Sequence, residues 1–148
     1  MSLPRLRAVP LAPFERDGVR AALGKSGLPC DDVGEAGPLF WRFDTEDDVP
    51  TGFGGLEIHG ADALLRSVVT LPPLRRAGFG RAIVTALEQE AQLYGCHAIY
   101  LLTMDTAYFA RMGYTVLRRS AVPEAVRTSR QFSLQAPEGV EAMVKPLA

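Results

Sequence analysis

The spacing of apolar side chains changes period along the chain, and each change marks an element. Leu6 to Val9 predicts a short first strand. Pro13 then suits the first position of a helix running to Leu23, with Phe14, Val19 and Leu23 as its apolar face. Lys25 to Pro38 is rich in glycine and proline and predicts a loop. Leu39 to Phe43 predicts a strand, Asp44 to Asp48 an acidic turn, and Thr51 to Ile58 a strand weakened by Gly52, Gly54 and Gly55. After a turn at His59-Gly60-Ala61-Asp62, the apolar run Leu64 to Thr70 predicts a buried central strand. The connections up to this point are too short for parallel crossovers, so these strands form an antiparallel meander.

Beyond Pro72 and Pro73 the period lengthens. Ile83, Leu87, Ala91 and Tyr94 recur at helical steps from Gly80 onward, and Gly95 suits the position just past a helix end. His97 to Leu102 is a second buried strand, joined to the central one by a strand-helix-strand crossover and hence parallel to it. Thr103 or Asp105 caps a short helix through Met112, closed by Gly113. Tyr114 to Arg118, a helical turn at Val122 to Arg127, and a strand at Ala142 to Pro146 complete the chain. The pattern predicts one α/β (α+β) domain over residues 1–148, with a mixed, mostly antiparallel sheet of six or seven strands and three or four helices.

Composition narrows the function classes. The chain has 148 residues, 47% of them apolar, and a formal net charge of −1, which fits a globular protein and argues against a nucleic-acid surface. No apolar run reaches membrane-spanning length and the N-terminus has no apolar targeting segment, so the expectation is a cytoplasmic protein with no membrane partner. Cys30 and Cys96 do not make a disulfide framework. Cys96 reads as a small core residue, Cys30 as a loop residue, and no metal is expected.

The linker between central strand and helix carries the chemistry. Arg75, Gly78 and Gly80 spell R-x-x-G-x-G directly before a helix whose first N–H groups have no intrahelical partner. With Arg75, Arg76 and Arg81 alongside, this is an anion site suited to a pyrophosphate. Bare G-x-G is a weak signal, but strand, proline, basic glycine turn and amphipathic helix in sequence are stronger. A dinucleotide-binding unit is disfavoured, because its glycine loop follows the first strand and this one lies mid-chain.

The string Pro72, Arg75, Gly78, Gly80 resembles the acetyl-CoA motif of the GNAT family of N-acetyltransferases, and Tyr108-Phe109 followed by Gly113-Tyr114 resembles that family's second signature. The resemblance implies a central parallel pair that splays to admit acetyl-CoA as co-substrate. It assigns cofactor contacts to Val68, Val69, Thr70, Arg75, Arg76, Ala77, Gly78, Phe79, Gly80, Arg81 and Phe109. Backbone groups of Val68 and Thr70 hold the pantetheine arm as an added strand, and Val68 N–H polarises the thioester carbonyl. Phe109 stands where many members carry a tyrosine acid, and it has no proton to give.

Tyr108 points about 100° away on the helix and reads as a core residue. Glu57 is the candidate base, or binds the acceptor ammonium, against the plainer reading of a solvated strand-end carboxylate. His59 lies two residues on, on the same face. Arg66, placed on the face of Val68 by simple alternation, either pairs with Glu57 or grips an acceptor anion. A looser likeness to the arsenic-resistance branch rests on Leu65 to Val69, Tyr100 to Thr103 and the tail Pro123 to Phe132, and implies that Thr128 to Phe132 help wall a site for an amino-acid-like acceptor, an organoarsenical or a related phosphinate. The expected function is acetyl transfer to a small, amino-acid-like amine. The expected partners are that amine and, at most, a second copy of the chain. An acetyl-CoA-binding sensor without catalysis is the alternative.

Overall fold

The computed structural model describes residues 5–11, 21, 39–71, 78–129 and 139–147. The expected helix Pro13 to Leu23 apart from Ala21, which is helical, the loop Lys25 to Pro38 with Cys30, the segment Pro72 to Ala77, and Phe132 lie outside these residues. The meander forms as the short connections require: β1 (Leu6–Pro10), β2 (Leu39–Thr45), β3 (Pro50–His59) and β4 (Asp62–Thr70) pair in chain order, each antiparallel to the next. Helix α1 (Phe79–Leu93) crosses over, and β5 (Ala98–Thr103) returns parallel to β4. Helix α2 (Thr106–Ala110), β6 (Thr115–Leu117), a 3-10 turn at Arg119–Ala121 and α3 (Glu124–Arg127) follow. The last strand, β7 (Glu141–Pro146), inserts between β5 and β6, giving a seven-stranded sheet in the order β1-β2-β3-β4-β5-β7-β6.

The helical stripe buries Ile83, Leu87 and Ala91 completely against Ala63, Leu65, Leu56, Phe43, Ile99 and Leu101 of the sheet. Tyr94 does not follow the stripe. It is the C-cap residue and 51% exposed, because Gly95 takes φ 84° and turns the chain there. On the opposite face Leu64 packs with Val122, Val126 and Ala142. The central strand therefore carries core on both faces, as its nearly unbroken apolar sequence demands.

β3 runs for ten residues through its three glycines. They supply clearance. A β-carbon at Gly54 would lie 2.7 Å from Leu87 Cδ1, one at Gly55 2.8 Å from the Phe40 ring, and one at Gly52 2.1 Å from Val69 O. The acidic turn is also shorter than expected: Asp44 belongs to β2, is buried, and accepts two 2.8 Å hydrogen bonds from Arg42.

Two irregularities in β4 shape the site. Pairing with β3 steps from Phe53↔Val69 to Gly55↔Arg66, so β4 holds one extra residue there, and Ser67 takes φ 61°. That is a β-bulge. It breaks the alternation, so the expectation that Arg66 and Val68 share a face fails: Val68 packs on the α1 core while Arg66 lies with Glu57 and Phe40. Pairing with β5 covers only Asp62↔Ala98, Ala63↔Ile99 and Leu64↔Tyr100. From Leu65 onward the two parallel strands part.

Candidate active site

The splay opens toward the start of α1. Gly78 is its N-cap, with φ 80°, ψ 7° and no side-chain cap. A β-carbon there would meet nothing within 4 Å among the described residues, so backbone conformation alone selects glycine. The N–H groups of the first turn, at Phe79, Gly80 and Arg81, have no intrahelical acceptor and sit at the positive end of a 15-residue helix. Gly80 is a glycine for the opposite reason. A β-carbon there would lie 2.8 Å from the Tyr108 hydroxyl and 3.3 Å from Thr70 Oγ1. The ends of β4, α1 and α2 thus converge on one point.

The helix that carries Tyr108 is capped at its start. Asp105, the N-cap of α2, accepts a 3.1 Å hydrogen bond from Tyr108 N–H, and Thr103 Oγ1 accepts from Asp105 N–H at 2.9 Å. The Tyr108 ring meets Phe109 edge-on at 5.1 Å, and Phe109 meets Tyr114 edge-on at 5.7 Å. Tyr114 is buried and donates to Glu88 of α1 at 2.8 Å, while Lys145 of β7 donates to both Glu88 oxygens at 3.1 and 3.2 Å. Burial, with the Glu88 carboxylate beside it, pushes the Tyr114 phenol well above its ordinary pKa. The Tyr108 phenol is also raised, chiefly by burial and then by Asp105, with Arg81 opposing.

A second polar cluster lies where β3 and β4 face each other. The Arg66 side chain is 0% exposed, and its Nη1 donates to Glu57 Oε2 at 3.3 Å while Nε donates to Ser67 Oγ at 3.0 Å. Its guanidinium carbon stands 5.2 Å from the Phe40 ring centre. Glu57 Oε1 lies 3.2 Å from His59 Nε2, as strand alternation requires. Glu57 is buried, so the plainer reading of a solvated carboxylate is corrected. Of the two arrangements open for Arg66, the internal pair with Glu57 is formed.

A profile of the acetyltransferase (GNAT) family matches residues 10–114. The chain belongs to this family. It spans 41% and 55% of the length of two curated relatives, the second being an amino-acid acetyltransferase of Mycobacterium tuberculosis, 32% identical over 95 residues that make up 62% of this chain. The GNAT fold is equally plain in solved structures. Rv2747 from Mycobacterium tuberculosis, solved with CoA and NLQ, superposes with TM-score 0.77 at 21% identity over 98% of this chain and 100% of that one. N-acetylglutamate synthase from Neisseria gonorrhoeae, complexed with coenzyme A and N-acetyl-glutamate, gives 0.77 at 15% identity over 100% of this chain and 36% of that one.

Within this GNAT framework the sequence-predicted residues fall into groups. Gly78, Phe79, Gly80 and Arg81 gather at the α1 start, with Thr70 beside them, and Val68 and Val69 lie beyond the last β4–β5 pair. Arg66, Glu57 and His59 form the separate cluster at the bulge. Phe109 packs on the main core between two tyrosines. Tyr108 packs against the core as its position on the helix implied, and its hydroxyl also stands at the glycine turn, a placement that helical angle alone does not reveal.

Proposed function

We propose that the protein transfers the acetyl group of acetyl-CoA to the amine of a small, amino-acid-like acceptor, acting in the cytoplasm. The observation that carries this is the left-handed Gly78 turn and first turn of α1, set beside a bulged strand whose parallel neighbour departs after Leu64. The described part of the site suits the cofactor: uncapped N–H groups at Phe79 to Arg81 suit a diphosphate, and the family resemblance adds Arg75, Arg76 and Ala77 of the same motif to that role. The strand edge at Val68, Val69 and Thr70 suits an extended amide-bearing arm. Bound there, acetyl-CoA would supply an activated acyl thioester.

The chain's own residues then have these roles. Val68 N–H donates to the acyl oxygen, where negative charge develops as the amine attacks. Glu57 receives the amine proton, directly or through water, and His59 lies next to it on the way to solvent. Arg66 serves the acceptor side by fixing the Glu57 carboxylate, and the sequence resemblance assigns Phe132 to the acceptor. Phe109 gives no proton, so the thiolate leaves unassisted or with a proton from water. The amino-acid acetyltransferase relative and the two amino-acid-type complexes support an amino-acid-like acceptor.

Incubation with acetyl-CoA and a panel of amino acids, phosphinates and amine-bearing organoarsenicals, followed by mass spectrometry and thiol release, tests the reading. An acetylated amino acid with matching thiol release is the expected result. Tight CoA binding with no product from any amine would favour a sensor instead.

A further inference from the structure

We propose that Tyr108 is a cofactor-binding residue, its hydroxyl donating a hydrogen bond to the diphosphate of coenzyme A across the first turn of α1, in a space that Gly80 keeps open. The inference rests on the function proposed above and extends it to a residue outside the glycine motif. Its basis is the meeting of three elements at one point: the Tyr108 hydroxyl and Thr70 Oγ1 both crowd the position of an absent β-carbon at Gly80.

Gly80 has no positive φ, and alanine is the better helix former there. Clearance for the tyrosine is therefore what glycine provides at this position. The Asp105 cap fixes the start of the helix that carries Tyr108, and the edge contact with Phe109 braces its ring. Among the described residues its hydroxyl has no hydrogen-bond partner. The helix turn in front offers N–H groups and Arg81, whose charge acts on the phenol. A phosphate oxygen bound by those N–H groups would stand within reach of the hydroxyl and accept its proton in a charge-assisted bond.

Calorimetry with CoA and with pantetheine, which lacks the diphosphate, tests this on the full chain. Tyr108→Phe is expected to weaken CoA by about tenfold, the scale of one hydrogen bond to a charged group, and to leave pantetheine unchanged. Gly80→Ala is expected to cost a similar factor alone, because the methyl displaces the hydroxyl, and to cost nothing further in the Tyr108→Phe background. Losses that simply multiply in the double variant would overturn the pairing. Unchanged CoA affinity in Tyr108→Phe, or equal losses for CoA and pantetheine, would overturn the diphosphate contact while leaving the function standing. Failure of the unsubstituted protein to bind CoA would overturn both.

Discussion

Neutralising Glu57 removes one charged acceptor from the fully buried Arg66 guanidinium and so weakens the cluster at the bulge. Glu57→Gln is therefore expected to lower the unfolding free energy by about 2 kcal/mol, the scale of one hydrogen bond between charged groups, read by urea denaturation, and to lower kcat with it. Arg66→Lys keeps the charge but loses the planar fork that reaches Glu57 and Ser67 together. It should fall between wild type and Glu57→Gln in stability, with any change in acceptor KM reporting the acceptor side. Phe109→Tyr adds one hydroxyl at the position the family resemblance gives to the acid. It should leave the melting temperature near wild type and kcat equal or higher. Tyr114 makes stability sensitive to alkaline pH. Its phenol is held neutral in the fold by burial and by Glu88, so the stability it contributes is complete below the ordinary tyrosine value of about 10 and is lost as pH rises above it. Melting curves from pH 8 to 11 should fall more steeply for wild type than for Tyr114→Phe.

At the scale of elements, Gly78 and Gly80 share a motif but serve different needs. Gly78→Asp should abolish CoA binding in calorimetry while the fold persists, since it forces a side chain onto a left-handed backbone and sets a carboxylate against the anion site. The strands, the crossover and the α1 stripe were legible because apolar period and connection length report burial directly. The bulge was not. Nothing in Leu65-Arg66-Ser67-Val68 signals an extra residue, because the register is set by what β3 can bring opposite, and Gly55 pairs with Arg66 where simple alternation has no place for it. The role of the β3 glycines was hidden for a related reason: it lies in the nearness of Leu87 and Phe40, which are remote in sequence. The glycine turn was visible in the chain, whereas the convergence of Tyr108 and Thr70 on it exists only once β4, α1 and α2 are docked.

For the whole molecule, a ligand that binds only the folded state raises the melting temperature by mass action. CoA at one hundred times its dissociation constant should add about 2.7 kcal/mol, visible as a thermal shift; no shift at millimolar CoA would count against the proposed site. The short β4–β5 seam says where that energy acts. Two antiparallel half-sheets, β1 to β4 on one side and β5, β7 and β6 on the other, are laced to each other by three residue pairs and bridged by α1. Mechanically this is a notched plate, and thermal opening starts at the notch tip, at Leu65 and Leu101. An arm laid along β4 moves the tip outward and makes the halves open as one. Hydrogen exchange at residues 65–70 and 101–103 should then slow together when CoA is added, while β1 and β2 exchange at their former rates.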